Sequence, residues 1–152
     1  MYHPNIILLG DCNFDFENAE LRRKDVDELI RSINGFQLGG ARTAVVNFPF
    51  LDPHPTSGQR VFRTNARLNQ TYDQIGLVVH DERLPTPEAN AAAGTTADGF
   101  DYGAVNFVDL FSQALHQRDH NDLAAAERKA LYRKFEYDLT DHMPIWIRLP
   151  IP

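Results

Sequence analysis

Residues 5–13 read Asn-Ile-Ile-Leu-Leu-Gly-Asp-Cys-Asn (NIILLGDCN). Asn5 to Leu9 is a short continuous apolar run that stops at Gly10, the pattern of a strand buried on both faces. Strand ends in α/β proteins present functional side chains. Asp11 offers a general base or a metal ligand there. Asn13, two residues further along an extended chain, points the same way and can donate to a phosphate oxygen. The tetrapeptide Gly10-Asp11-Cys12-Asn13 equally suits a tight turn in which Asp11 and Asn13 hydrogen-bond their own backbone.

Working outward, Ala19 to Asn34 turns helical, with Val26, Leu29, Ile30 and Ile33 on one stripe and Asn34-Gly35 as a stop. Arg42 to Phe48 is β-branched and predicts a strand. Pro49 to Gly58 is a proline-rich loop. Val61 to Thr64 suits a short strand, and Gln74 to His80 a stronger one. Leu84 to Gly103, rich in Pro, Ala, Gly, Thr and Asp, predicts a long loop. Ala104, Phe107, Val108, Phe111 and Leu115 follow helical spacing. A second helix is predicted from Asp122 to Phe135, with Asn121 or Asp122 as cap. Met143 to Leu149 closes the chain as a strand, with Ile145, Ile147 and Leu149 on one face and Trp146 and Arg148 on the other. The helical apolar stripes and Trp146 are expected in the core. Mixed strands and helices give an α/β or α+β class.

Two further constellations carry chemistry. Thr71-Tyr72-Asp73-Gln74-Ile75 stands just before a strand. A carboxylate at Asp73 can orient an imidazole, fix its tautomer and favour its charged form; an exposed turn is the plainer alternative. Leu139-Thr140-Asp141-His142-Met143-Pro144 stands before the last strand. Neighbours on an extended segment point to opposite sides, so Asp141 and His142 share a site only if the chain bends, and Pro144 is consistent with a bend. The pair would supply a hard oxygen ligand for Mg²⁺ and a cation or acid for phosphate. A plain surface dipeptide is the alternative.

Together, and in this order, "IILLGDCN", "TYDQIGLV" and "DLTDHMPIWIRL" resemble the endonuclease/exonuclease/phosphatase superfamily, whose members include DNase I-like nucleases. Its usual forms are G-D-F-N at a strand end, Y-D-x-I before a strand, and S-D-H-x-P before the last strand. Cys12 and Thr140 depart from the usual Phe and Ser. The resemblance implies that Asp11 activates or orients the attacking water and that Asn13 contacts the scissile phosphate. It also implies that Asp73 pairs with a catalytic His142 and that Asp141 lies at a metal site with Asp11. Water would attack phosphorus in line, with Mg²⁺ (or Mn²⁺) and the imidazolium stabilising charge on the phosphoryl oxygens.

The family fold is a four-layer α-β-β-α sandwich, and its first half precedes G-D-x-N. Residues 1–152 are therefore expected to be a partial domain, the C-terminal half, built on one mixed or antiparallel sheet with flanking helices. The family's metal-binding Glu falls in the other half, so weak metal binding is expected. Two readings stay open: a phosphoester hydrolase, or a catalytically incomplete module that binds or assembles. A lone half would expose an apolar sheet face, so a homo-oligomer covering that face is expected.

Composition narrows the partners. The net charge of −6 argues against blanket nucleic-acid coating, without excluding a local basic groove. The resemblance implies a substrate that carries phosphate, either a nucleic acid or a small phosphoester. No apolar run approaches the roughly 20 residues of a membrane span. The N-terminal stretch lacks the features of a signal peptide. Cys12 is the only cysteine, so no internal disulfide is possible and a reducing, cytoplasmic location is expected. His116 and His120 have a metal-capable spacing, although Asp119-His120-Asn121 suits a turn between helices. Arg60, Arg63 and Arg67 are read as solvated rather than as a phosphate groove. Asn47 and Phe48 lie where a substrate could be reached.

Overall fold

The computed structural model describes residues 5–13, 24–25, 27–34, 44–57 and 62–150. Three strands form one antiparallel sheet in the order β1-β3-β2: β1 (Ile6–Asp11), β2 (Val45–Asn47) and β3 (Asp73–Val79). A separate antiparallel pair joins β4 (Asp101–Ala104) to β5 (Ile145–Arg148). The helices are α1 (Asp27–Asn34), α2 (Phe107–His116) and α3 (Ala125–Asp138). The class is α+β, and the described strands make two antiparallel sheets rather than the expected one. No helix among the described residues is long and apolar enough to cross a membrane.

The central strand is β3. All seven of its residues are buried, because β1 and β2 flank it and packed side chains cover it. Ile75, Leu77 and Val79 alternate onto one face. There they join Phe50, Phe62, Leu84, Ala93, Phe100 and Tyr102, with Ile145, Ile147 and Leu149 of the closing segment packed against them. Each fully buried aliphatic or aromatic side chain of this kind contributes about 1.5–3 kcal/mol. On the other face Gly76 lies under the Phe48 ring, where a Cβ would stand 2.9 Å from Cε1. A side chain at that position would displace the ring.

The expectation that Asn5 to Leu9 is buried on both faces is corrected. Every residue of β1 is exposed, with Leu9 at 60%. The strand lies at the end of the sheet, and among the described residues β3 is its only partner. An apolar run is compatible with either position in a sheet, and periodicity does not separate the two. Asn5 anchors the register: its side chain accepts from the His80 backbone N–H (2.7 Å) and donates to Asp81 (2.6 Å).

Other differences are local. Of the helix expected from Ala19, the described part is α1 together with Lys24 and Asp25; residues 19–23 and Val26 lie outside the described residues. Residues 62–64 form no strand, Val61 lies outside the described residues, and Asn65 instead makes an isolated bridge to His142. The long loop from Leu84 is packed, holding a 3-10 turn at Pro87–Ala92 and the start of β4. Asp, Gly and Ala are poor strand formers, which hid β4 in the sequence. Ala104 ends that strand instead of opening a helix.

Asn106 caps α2 by accepting from the Asp109 N–H. Only part of the predicted α2 stripe is core: Val108 is buried, whereas Phe107 and Leu115 are exposed. The second helix starts at Ala125 rather than Asp122, because Asp119, Asn121 and Asp122 are used in a 3-10 turn. The Glu127 carboxylate then accepts from the Ala124 N–H (3.0 Å). A second core joins α2 and α3 through Val108, Leu131 and Phe135, with Ala66, Leu123 and Met143. In β5 the predicted faces hold, but Trp146 is not core. It is 38% exposed and covers Gly103, where a Cβ would meet the indole at 3.0 Å.

Candidate active site

The β1–β3 register places Asp11 directly opposite Asp73. Cys12 donates its N–H to the Tyr72 carbonyl (2.8 Å), which makes Asp11 and Asp73 a non-hydrogen-bonded pair, the kind whose side chains lie closer together. Like charges directly opposite each other destabilise a sheet. His142 answers this repulsion. Its Nδ1 is 2.8 Å from Asp73 Oδ2 and its Nε2 is 3.7 Å from Asp11 Oδ2. An ionised carboxylate only accepts, so Nδ1 carries a proton toward Asp73.

Local structure holds each member. At Gly10 β1 takes a φ of 151°, a conformation that favours glycine, just before Asp11. Asn13 follows in a left-handed conformation (φ 46°), which asparagine tolerates. Its N–H donates to Asp11 Oδ1 (2.7 Å). The local turn and the outward carboxylate therefore coexist: Oδ1 closes the turn and Oδ2 faces the imidazole. His142 is placed by its bridge to Asn65, and its N–H donates to the Thr140 hydroxyl (3.1 Å). Met143, the next residue, is buried in the second core, and Ile75, two residues after Asp73, is buried in the first. The site thus sits where the two cores meet.

The electrostatics follow from this geometry. The hydrogen bond to Asp73 raises the His142 pKa above its ordinary 6.5; desolvation opposes the rise, and the charges of Asp73, Asp11 and Asp141 add to it. The Cys12 thiol is also pushed up, chiefly by burial and then by the charges of Asp11 and Asp73. That suppresses the thiolate and disfavours a nucleophilic role for Cys12.

Asp11, Asp73 and His142 each offer one ligand atom within 4.8 Å of the others. Asp141 stands at the rim, its side chain 78% exposed and its Oδ2 3.9 Å from His142 Nε2. Asp11 and Asp141 thus approach the same imidazole nitrogen, but Asp141 is not one of the three residues whose ligand atoms converge. Asp73 is engaged with the imidazole, and Asn13 is exposed at the end of β1.

Several other candidates serve structure. Asn47 is buried in a reciprocal amide pair with Asn90, at 2.9 Å in both directions. Arg67 pairs with Glu136 (2.6 Å) and Arg63 donates to the Asn69 carbonyl, while Arg60 lies outside the described residues. His120 turns to Asp109 and Asp119 rather than to His116. Sequence reading missed the Tyr72 ring, 6.4 Å from the imidazole, and the residues 64–66 that brace His142. No local pattern signals contacts between segments about 75 residues apart.

The raised His142 pKa predicts how stability depends on pH. A folded pKa above the unfolded value means that the stabilisation is fully present below the ordinary 6.5 and is lost as pH rises through the raised value. The urea midpoint should fall across that window, and His142→Gln should remove this component. An identical pH dependence in the variant would contradict the assignment. In comparisons with known proteins, the chain matches no family model, no curated protein and no solved structure.

Proposed function

We propose that the protein is a metal-dependent phosphoester hydrolase of the endonuclease/exonuclease/phosphatase type. One observation carries this reading. The G-D-x-N, Y-D-x-I and T-D-H-x-P motifs, scattered over the sequence, bring Asp11, Asp73 and His142 to one point. Two carboxylates around a proton-bearing imidazole are the groups that water attack on phosphorus needs.

In this reading Asp11 Oδ2 orients the attacking water and accepts its proton. Asp73 holds the imidazole by Nδ1, so that protonated Nε2 is directed toward the opening between Asp11 and Asp141. From there it stabilises charge on the phosphoryl oxygens as the ester P–O bond breaks. Asn13 donates to the phosphate from the rim. A Mg²⁺ or Mn²⁺ ion held by Asp11 and Asp141 would supply Lewis-acid stabilisation of the same charge.

A second reading is favoured by the exposure of Ile6, Ile7, Leu8 and Leu9. It is a module that binds or assembles and leaves catalysis incomplete. A second copy laid along β1 would remove these side chains from water. A stable monomer at high concentration in light scattering would contradict that assembly.

Hydrolysis of bis-p-nitrophenyl phosphate with and without Mg²⁺ separates the two readings. The hydrolase reading predicts Mg²⁺-dependent turnover that falls by about 100-fold or more in His142→Ala, and that declines as pH rises through the His142 pKa. Turnover unaffected by this substitution, or none at all, would leave the assembly reading.

A further inference from the structure

We propose that Thr64 is a positioning residue that holds Asp73 and His142 in register, an inference that rests on reading this pair as the working centre. Asp73 faces Asp11 at a non-hydrogen-bonded position, so its own N–H points away from β1. On that side β2 ends at Asn47, opposite Leu77. The Asp73 N–H therefore lies beyond the reach of the sheet, in a buried position. The Thr64 hydroxyl takes the place of the missing strand and accepts from this N–H at 3.0 Å.

The same residue also reaches the histidine. The Thr64 carbonyl accepts from the Met143 N–H, and Ala66 N–H donates to the Asp141 carbonyl at 2.8 Å. Asn65, between them, bridges His142. The Thr64 N–H in turn donates to the Gln70 carbonyl (2.9 Å), and the Thr71 hydroxyl donates to the Phe62 carbonyl (2.7 Å). Thr64 is fully buried, so no water competes for these bonds. Through its hydroxyl it grips the segment that carries Asp73, and through its carbonyl the segment that carries His142. It touches neither reacting group, so its effect passes through the distance between them.

Two NMR measurements on the full chain test this: the resonance of the His142 Nδ1 proton and the hydrogen exchange of the Asp73 amide. The wild type should show a downfield, slowly exchanging Nδ1 proton held by Asp73 and an Asp73 amide protected well beyond its unfolded rate. In Thr64→Val the shape is kept and the acceptor lost. The Nδ1 proton should then move upfield or broaden away and the Asp73 amide should exchange about 10-fold faster or more, whereas Thr64→Ser should keep both wild-type signatures. A wild-type Nδ1 signature that stays unchanged in a folded Thr64→Val overturns the positioning role and leaves the centre itself standing. A wild-type Nδ1 proton without a hydrogen-bonded signature overturns both. If Thr64→Val does not fold, the wild-type amide decides: protection supports the role, and free exchange overturns it.

Discussion

Two carboxylates face each other across β1 and β3, and the site depends on what stands between them. At 4 Å two like charges repel by about 1 kcal/mol in water and about 4 kcal/mol at an effective dielectric near 20. Asp11 is partly open to solvent and Asp73 is buried, so the repulsion falls between these limits. The His142 imidazole converts it into attraction by holding Asp73 through Nδ1 and facing Asp11 with Nε2. The arrangement needs the β1–β3 register, the turn at Gly10 and the approach of residues 141–143 all at once. A slip of one residue in that register would send one of the carboxylates to the opposite face.

The two cores explain why the imidazole arrives there. Ile75 and Leu77 fix β3 against the β4–β5 side, while Met143 fixes the start of the closing segment against α2 and α3. Asp73 and His142 are thus each within two residues of a buried anchor, whereas Asp11 rests on the exposed β1. Asp11 is held instead by strand pairing, by the Asn13 turn and by the pairing of Cys12 with Tyr72. The exposed strand and the candidate carboxylate Asp11 meet in one element. Anything that covers β1 would act directly on the position of Asp11.

Much of this was legible in the sequence. The Asp-x-Asn step, Asp73 before a valine-rich strand and Asp-His before Pro144 are local patterns, and each names a side chain at a strand end. The α+β class followed from apolar periodicity, and β3, α2, α3 and β5 lie close to where it put them. What stayed hidden was set by tertiary partners. Whether an apolar strand is central or peripheral depends on its neighbours, so the apolar run alone does not reveal that β1 is exposed. The strand Asp101–Ala104 has little intrinsic preference and forms because β5 pairs with it. Thr64 carries no motif, and its importance comes from where β2 happens to stop.

The most direct measurement is the His142 pKa by NMR in the wild type, in Asp73→Asn and in Asp11→Asn. The account predicts a raised value in the wild type, a large fall toward the ordinary imidazole range in Asp73→Asn, and a smaller fall in Asp11→Asn. A His142 pKa that ignores both substitutions in folded protein would show that the three residues do not form one electrostatic unit.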